Sequence, residues 1–176
     1  MFSLNSKLPR NRKPETHRGS ALITGLAAMA LFVSASGNAL AGGRTMIKDF
    51  YSFLSNPGSE VHAEKFRSIT SPDWESIGGY SGASKNREQL IGQMAGFAKL
   101  IPDLNWEIVE MMRKGKRVVV RGRATGTPVG PLFGVDGKGK SFDIMSIDIH
   151  TIEGGKIIRS YHIEDWAGAM RQLGAK

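Results

Sequence analysis

The chain has 176 residues and 40% hydrophobic content, which fits one globular domain plus an appendage. Its lack of cysteine excludes disulfides and thiolate chemistry alike. The formal charge of +8 does not indicate a nucleic-acid partner: residues 1–41 hold five Lys/Arg and one acid, and what remains keeps 19 basic against 15 acidic residues, a net +4.

Taken in chain order, the first feature is a basic leader, Lys7, Arg10, Arg12, Lys13 and Arg18, that gives way at Ala21 to ALITGLAAMALFV. This apolar run is too short for a stable bilayer anchor, and the small residues after it end in Ala39-Leu40-Ala41. Charged leader, apolar middle and small-residue exit, in that order, predict a secretory signal peptide over 1–41 and a mature domain over 42–176 that starts at Gly42. The expected location is the periplasm or the medium, with no membrane association after cleavage. The competing reading is a buried or amphipathic N-terminal helix.

The domain reads as helices first and strands afterwards. Ile47, Phe50, Tyr51 and Leu54 recur at helical spacing from Met46 to Leu54, and Asn56-Pro57-Gly58 ends that helix. A short helix is expected over Val61 to Ile69, then an extended piece around Trp74 to Ile77 and a Gly/Ser-rich loop, GGYSGAS. NREQLIGQMAGFAKLIP places Leu90, Met94, Phe97 and Leu100 or Ile101 on one stripe, with Pro102 after its end. Four strands are predicted over Leu104 to Met112, Arg117 to Thr127, Ser141 to Ile152 and Lys156 to Glu164, and WAGAMRQL forms a last helix. The loop GVDGKGK has neither the spacing nor the strand-to-helix context of a phosphate loop and reads as a flap between strands. The basic residues Arg113, Lys114, Lys116 and Arg117 surround a turn at Gly115, where charge keeps a hairpin tip solvated.

Helices followed by an antiparallel meander make an α+β pattern: a curved antiparallel sheet with the N-terminal helices packed on it, leaving a cone-shaped pocket. The segments PDLNWEI, VVVRGRATGTPVGPLFGV, GKSFDIMSIDIHTIEGGKIIRSYHIEDW and MRQLG resemble the SnoaL-like polyketide cyclase or ester cyclase family, part of the nuclear-transport-factor-2-like superfamily. The resemblance covers roughly Met46 to Gly174. It implies a cone fold, often dimeric, with no metal and no organic cofactor. In such cyclases an acid/base pair on the late strands assists the aldol closure of a polyketide ester. Where those cyclases usually show an Asp, this chain has His162, with Asp165 nearby.

The closing hairpin can be read for that chemistry without the family. If Gly154-Gly155 is a two-residue turn, Glu153 faces Lys156, Asp148 faces Tyr161 and His150 faces Arg159. Both faces then mix apolar and ionisable groups, so some titrating groups are expected to be partly buried, where a carboxyl moves up and a His beside a carboxylate is favoured as the cation. His162 is the first candidate for general acid/base, against a structural histidine; Asp148 is the second, as base or as the group that orients an imidazole. This register sets the two on opposite faces unless a bulge intervenes. Asp165 is the third candidate, with a helix N-cap as its ordinary role, and the H-x-x-D spacing it makes with His162 is too sparse in ligands for a metal site.

Trp106, Phe133, Met145, His150 and Tyr161 are the candidate substrate contacts, Phe133 foremost because it lies on the flap; His150 and Arg159 also read as a surface pair. The expected function is binding of an apolar, carbonyl-bearing small molecule, with cyclisation, isomerisation or hydrolysis by acid/base chemistry. The alternative is a non-catalytic binding or assembly module on the same fold. Apolar residues on both strand faces predict a homodimer built on the sheet.

Overall fold

A computed structural model describes residues 42–174; the expected signal peptide lies outside them. Helix α1, residues 42–55, buries Ile47, Phe50, Tyr51 and Leu54, the stripe that its spacing predicts, and Phe53 beside them. Helix α2, Glu60–Ile69, buries Ala63, Phe66 and Ile69 against it, and the rings of Phe53 and Phe66 stack at 4.5 Å. The α2 N-cap, Ser59, makes no side-chain capping bond. A buried Phe contributes about 1.5–3 kcal/mol and a cap about 1 kcal/mol, so packing rather than capping holds this helical pair.

Strand β1, Thr70–Ile77, follows without a loop. Then come the two-residue β2, Lys85–Asn86, and helix α3, Arg87–Leu100, which opens on a capping box between Asn86 and Gln89. Strands β3 (Asn105–Lys114), β4 (Arg117–Gly126), β5 (Phe142–Glu153) and β6 (Lys156–Glu164) form the expected antiparallel meander, and α4, Trp166–Leu173, closes the domain. The sheet has six strands in the order β2-β1-β6-β5-β4-β3, so it stays open, with β2 and β3 at its edges. The extended piece expected near Trp74 is a full strand, and it joins the sheet parallel to β6, which makes the sheet mixed. More than half of the described domain separates β1 from β6 in sequence, long enough for the crossover that a parallel pair needs. No helix among the described residues is long and apolar enough to cross a membrane.

Register in the β5–β6 hairpin departs from the simple expectation. Gly154 and Gly155 both have positive φ, as a two-residue hairpin turn requires, and Glu153 faces Lys156 as predicted. Ile152 then pairs with Ile157 while Thr151 pairs with Arg159, which leaves Ile158 as the extra residue of a β-bulge. Because side chains alternate with period two, one extra residue exchanges the faces of all that follows. Ser160, His162 and Glu164 turn toward the helices, and Arg159, Tyr161 and Ile163 turn away.

Candidate functional site

The helices and the concave face of the sheet enclose a cavity that opens to solvent, a concave space of the kind in which small molecules bind. Leu90, Met94 and Phe97 of α3 form one wall. Of the predicted α3 stripe, Leu90 and Phe97 are therefore only partly buried, because they face this space rather than solid core, while Met94 and Ile101 are buried. Trp106 and Phe133 line the cavity as expected, together with Trp166. Phe133 sits on the loop before β5 with φ of +50°, a conformation that costs a non-glycine residue about 1 kcal/mol or more. Its ring lies 5.5 Å from that of Trp166 and 6.5 Å from that of Phe97, and the neighbouring Leu132, fully buried, pins the loop.

At the polar end, the bulge overturns the expected separation of His162 and Asp148. The two are direct cross-strand partners on the inner face, and both line the cavity. Asp148 is 5% exposed; its Oδ2 accepts from Tyr51 Oη at 2.5 Å and from Ser146 Oγ at 3.1 Å. Burial pushes its carboxyl up to about 6, against the pull of the Tyr51 hydrogen bond and with the help of the Glu164 charge. Burial and the Asp148 carboxylate raise Tyr51 well above the ordinary phenol range, so it stays a donor.

His162 is held at both ring nitrogens. Nδ1 lies 2.7 Å from Glu164 Oε1, and Nε2 lies 2.9 Å from Ser76 Oγ. Burial opposes protonation of the ring, but the Glu164 hydrogen bond and charge, with Asp148 behind them, outweigh it and raise its pKa. Trp166 Nε1 donates to the other Glu164 oxygen at 3.3 Å. The chain can pass this close to the ring because residue 78 is glycine: a Cβ there would stand 3.0 Å from His162 Cε1. A carboxyl near 6 beside a histidine displaced upward can exchange protons close to neutral pH.

The remaining candidates fall elsewhere. Met145 is 56% exposed on the outer face and Tyr161 lies on that face too, so neither reaches the cavity. Asp165 caps α4, accepting from Gly168 N at 2.7 Å, and does not line the cavity. His150 is fully buried beneath Phe50, bonded through Nδ1 to Ser160 Oγ at 2.8 Å, and burial pushes it down to about 3, so it stays neutral. It does not pair with Arg159, which reaches Glu75 at 2.8 Å on the opposite face.

Sequence reasoning passed over Ser76, Glu164 and Tyr51. Tyr51 was hidden among the apolar residues of its helix. Glu164 had a signal: Ser146, Asp148 and His150 alternate with period two, as do Ser160, His162 and Glu164, and two such rows share a face once the hairpin carries one bulge.

The model of the family described as SnoaL-like polyketide cyclase matches residues 46–173. Among solved structures, TsrD from Streptomyces laurentii superposes with a TM-score of 0.67 at 22% identity, over 77% of this chain and 97% of that one. Wild-type IdmH from Streptomyces antibioticus gives 0.65 at 21%, over 75% and 98% of the two chains. A SnoaL-like protein from Jannaschia sp. CCS1 gives 0.66 at 22%, over 77% and 94%. These likenesses carry the fold; none of the curated proteins matches the sequence. With almost the whole described domain under the family model, the chain belongs to the SnoaL-like polyketide cyclase family.

Proposed function

We propose that this protein is exported after loss of residues 1–41, binds an apolar, carbonyl-bearing small molecule in the cavity, and catalyses its cyclisation or isomerisation by cofactor-free acid/base chemistry. The observation that carries this reading is the cross-strand pair His162 and Asp148 in the polar part of a cavity otherwise walled by Phe50, Leu90, Met94, Phe97 and Trp166. Above pH 6 Asp148 is a carboxylate and takes a proton from the carbon beside the carbonyl. His162, favoured as the cation, gives a proton to the oxygen on which charge develops, and Glu164 stabilises that cation and fixes its ring. The indole N–H of Trp106, buried in the wall without a partner, is a donor for a second ligand oxygen.

The neighbours described as polyketide cyclases suggest the substrate class, and the apolar lining suits it. N-terminal sequencing of the exported product reads the processing site: a start at Gly42 supports export, and a folded soluble product that keeps residues 1–41 removes it.

The chemistry is tested with a panel of β-keto esters, lactones and ketosteroids. His162→Asn and Asp148→Asn are each expected to lower turnover by about 10²- to 10⁴-fold with folding retained. Turnover falls on the acid side as Asp148 gains its proton near pH 6 and on the alkaline side as His162 loses its own. Binding without turnover, unaffected by either variant, would establish the non-catalytic alternative.

A further inference from the structure

The constellation around His162 has a second capacity that acid/base transfer to carbon does not use. Ser76 Oγ lies 2.9 Å from His162 Nε2, and His162 Nδ1 lies 2.7 Å from Glu164 Oε1. A hydroxyl, an imidazole and a carboxylate are thus joined in sequence through the two ring nitrogens. All three side chains line the same cavity. They come from two neighbouring strands, β1 and β6, in which Ser76 stands beside Ser160.

Each link meets a requirement of nucleophilic catalysis. The Glu164 carboxylate accepts the Nδ1 proton and so fixes the tautomer that leaves the Nε2 lone pair facing the hydroxyl. Ser76 is 4% exposed, which keeps bulk water from competing for its hydrogen bond. Lys85 faces Ser76 across the β1–β2 pair and lines the cavity, so its ammonium is at hand for an oxyanion. Such constellations are recognised by geometry and roles rather than by fold or chain order.

We propose that Ser76, His162 and Glu164 form a nucleophilic triad that gives the cavity a second activity, acyl transfer from esters, through a covalent intermediate on Ser76. Ser76 Oγ forms a bond to the ester carbonyl carbon as its proton passes to His162 Nε2. The bond from that carbon to the leaving alcohol oxygen then breaks, and His162 returns the proton to this oxygen. Water attacks the acyl–serine ester in the same way, giving its proton to His162; the acid leaves and Ser76 recovers its hydrogen. The inference rests on the proposed access of carbonyl compounds to the cavity, but not on proton abstraction from carbon by Asp148.

The two activities draw on opposite forms of His162. Acyl transfer needs the neutral ring, so its rate is expected to rise with pH through the His162 titration, over the range in which the carbon-acid reaction declines.

Diisopropyl fluorophosphate and p-nitrophenyl butyrate are the probes. Wild type is expected to take one phosphoryl group at Ser76, with loss of fluoride, and to release p-nitrophenol in a burst that tracks protein concentration. Ser76→Ala should do neither. Glu164→Gln, which keeps the nucleophile, should slow labelling at least about 10²-fold and flatten its pH profile. Deuterium exchange from solvent into the carbon beside a ketone, followed in parallel in the wild type, reads the other chemistry. Wild type that exchanges deuterium but takes no label overturns the triad alone. Label on Ser76 without exchange overturns the carbon-acid reading alone. Labelling of Ser76→Ala at the wild-type rate, or unchanged labelling of Glu164→Gln, removes the proposed roles of those residues.

Discussion

Between Met145 and His150 on β5 and between Ser160 and Ile163 on β6, the two faces of the hairpin invert the usual rule for a sheet packed on one side, whereas Ile144, Ile152 and Ile157 nearer its ends follow it. Toward the protein interior the paired strands present Ser146, Asp148, His150, Ser160 and His162; toward the outside they present Met145, Ile147, Ile149, Tyr161 and Ile163. A one-sided antiparallel sheet ordinarily does the reverse. Burying Asp148 without pairing it would be prohibitive, so its placement depends on a specific set of partners, Tyr51 and Ser146, and on a cavity that needs polar groups at one end. Exposing Ile163 to 66% and Met145 to 56% calls for a different account, a partner surface. The outer face over β3 and β4 is conventional by comparison, laced with ion pairs such as Arg123–Asp143 at 2.5 Å and Arg121–Glu110 at 3.3 Å. Polarity inside and apolarity outside thus coincide on the same two strands, and the bulge at Ile158 is what brings the rows of β6 into register with those of β5.

Deleting Ile157 together with Ile158 attacks that arrangement most directly. With both gone, a straight register from the Glu153–Lys156 pair sets Arg159 opposite Ile152 and sends Arg159, Tyr161 and Ile163 toward the interior in place of Ser160, His162 and Glu164; removing Ile158 alone would leave Arg159 opposite Thr151 and His162 opposite Asp148. An unpaired buried guanidinium together with the loss of the Asp148 environment is expected to cost more than about 4 kcal/mol, enough to abolish cooperative unfolding. Replacing Ile158 with Ala keeps the extra residue and is expected to leave the site intact. Near-ultraviolet dichroism and denaturant melts compare the two; a folded double-deletion variant with wild-type melting would show that the number of residues between the turn and Arg159 does not set the faces.

The bulge at Ile158 also explains how much of the molecule its sequence disclosed. Helix spans were legible because Ile47, Phe50, Tyr51 and Leu54 repeat at the helical period and Asn86, Gln89 and Pro102 mark boundaries, and the four late strands because turn residues punctuate them. The choice of face was not legible. A hairpin bulge costs little locally and leaves no composition signal here, since Ile158 is as good a strand residue as its neighbours. His162 and Asp148 could therefore be named from their types but were set on opposite faces. Ser76 escaped notice because its role depends on a parallel strand pairing that brings its hydroxyl to His162, 86 residues away in sequence, and local pattern carries nothing of that kind. Met145 and Tyr161 were misplaced for the opposite reason: an apolar or aromatic side chain on a strand is ordinarily read as inward.

Outer-face apolarity is tested next. A homodimer that covers Ile147, Tyr161 and Ile163 would bury each of these twice, once per protomer. Ile163→Lys is then expected to weaken association by about 3–6 kcal/mol, the transfer cost of two isoleucines, while the cavity face and its chemistry persist in the monomer. Light scattering and sedimentation at tens of micromolar provide the measurement. Wild type that is monomeric at those concentrations, or a variant that associates as tightly as wild type, would leave the outer face without the partner proposed for it.

The smallest effect concerns Asp148 and carries a sign. Its folded carboxyl titrates near 6 rather than at the ordinary 3.8, so between these values the folded state holds a proton that the unfolded chain has released. Wild type accordingly loses stability through this group as pH rises from about 4 to 6, by up to about 3 kcal/mol for two units of displacement, and the loss is complete above that range. Asp148→Asn cannot ionise, and its side-chain oxygen can still accept from Tyr51. It is expected to be more stable than wild type by about 1–3 kcal/mol at pH 7 and to lose that advantage at pH 4. His150, pushed down to about 3, works the other way, since the folded state then binds fewer protons below about 6.5 and stability rises with pH. Both proteins retain His150, so its contribution cancels when their melting curves are subtracted. Urea melts at pH 4, 5, 6 and 7 give the difference directly: an advantage for Asp148→Asn that grows across this range shows that the buried carboxylate is held at a cost in stability. A difference that does not change with pH would mean that Asp148 is as well solvated by Tyr51 and Ser146 as it is in water, and the acid limb assigned to it in turnover would then need another group.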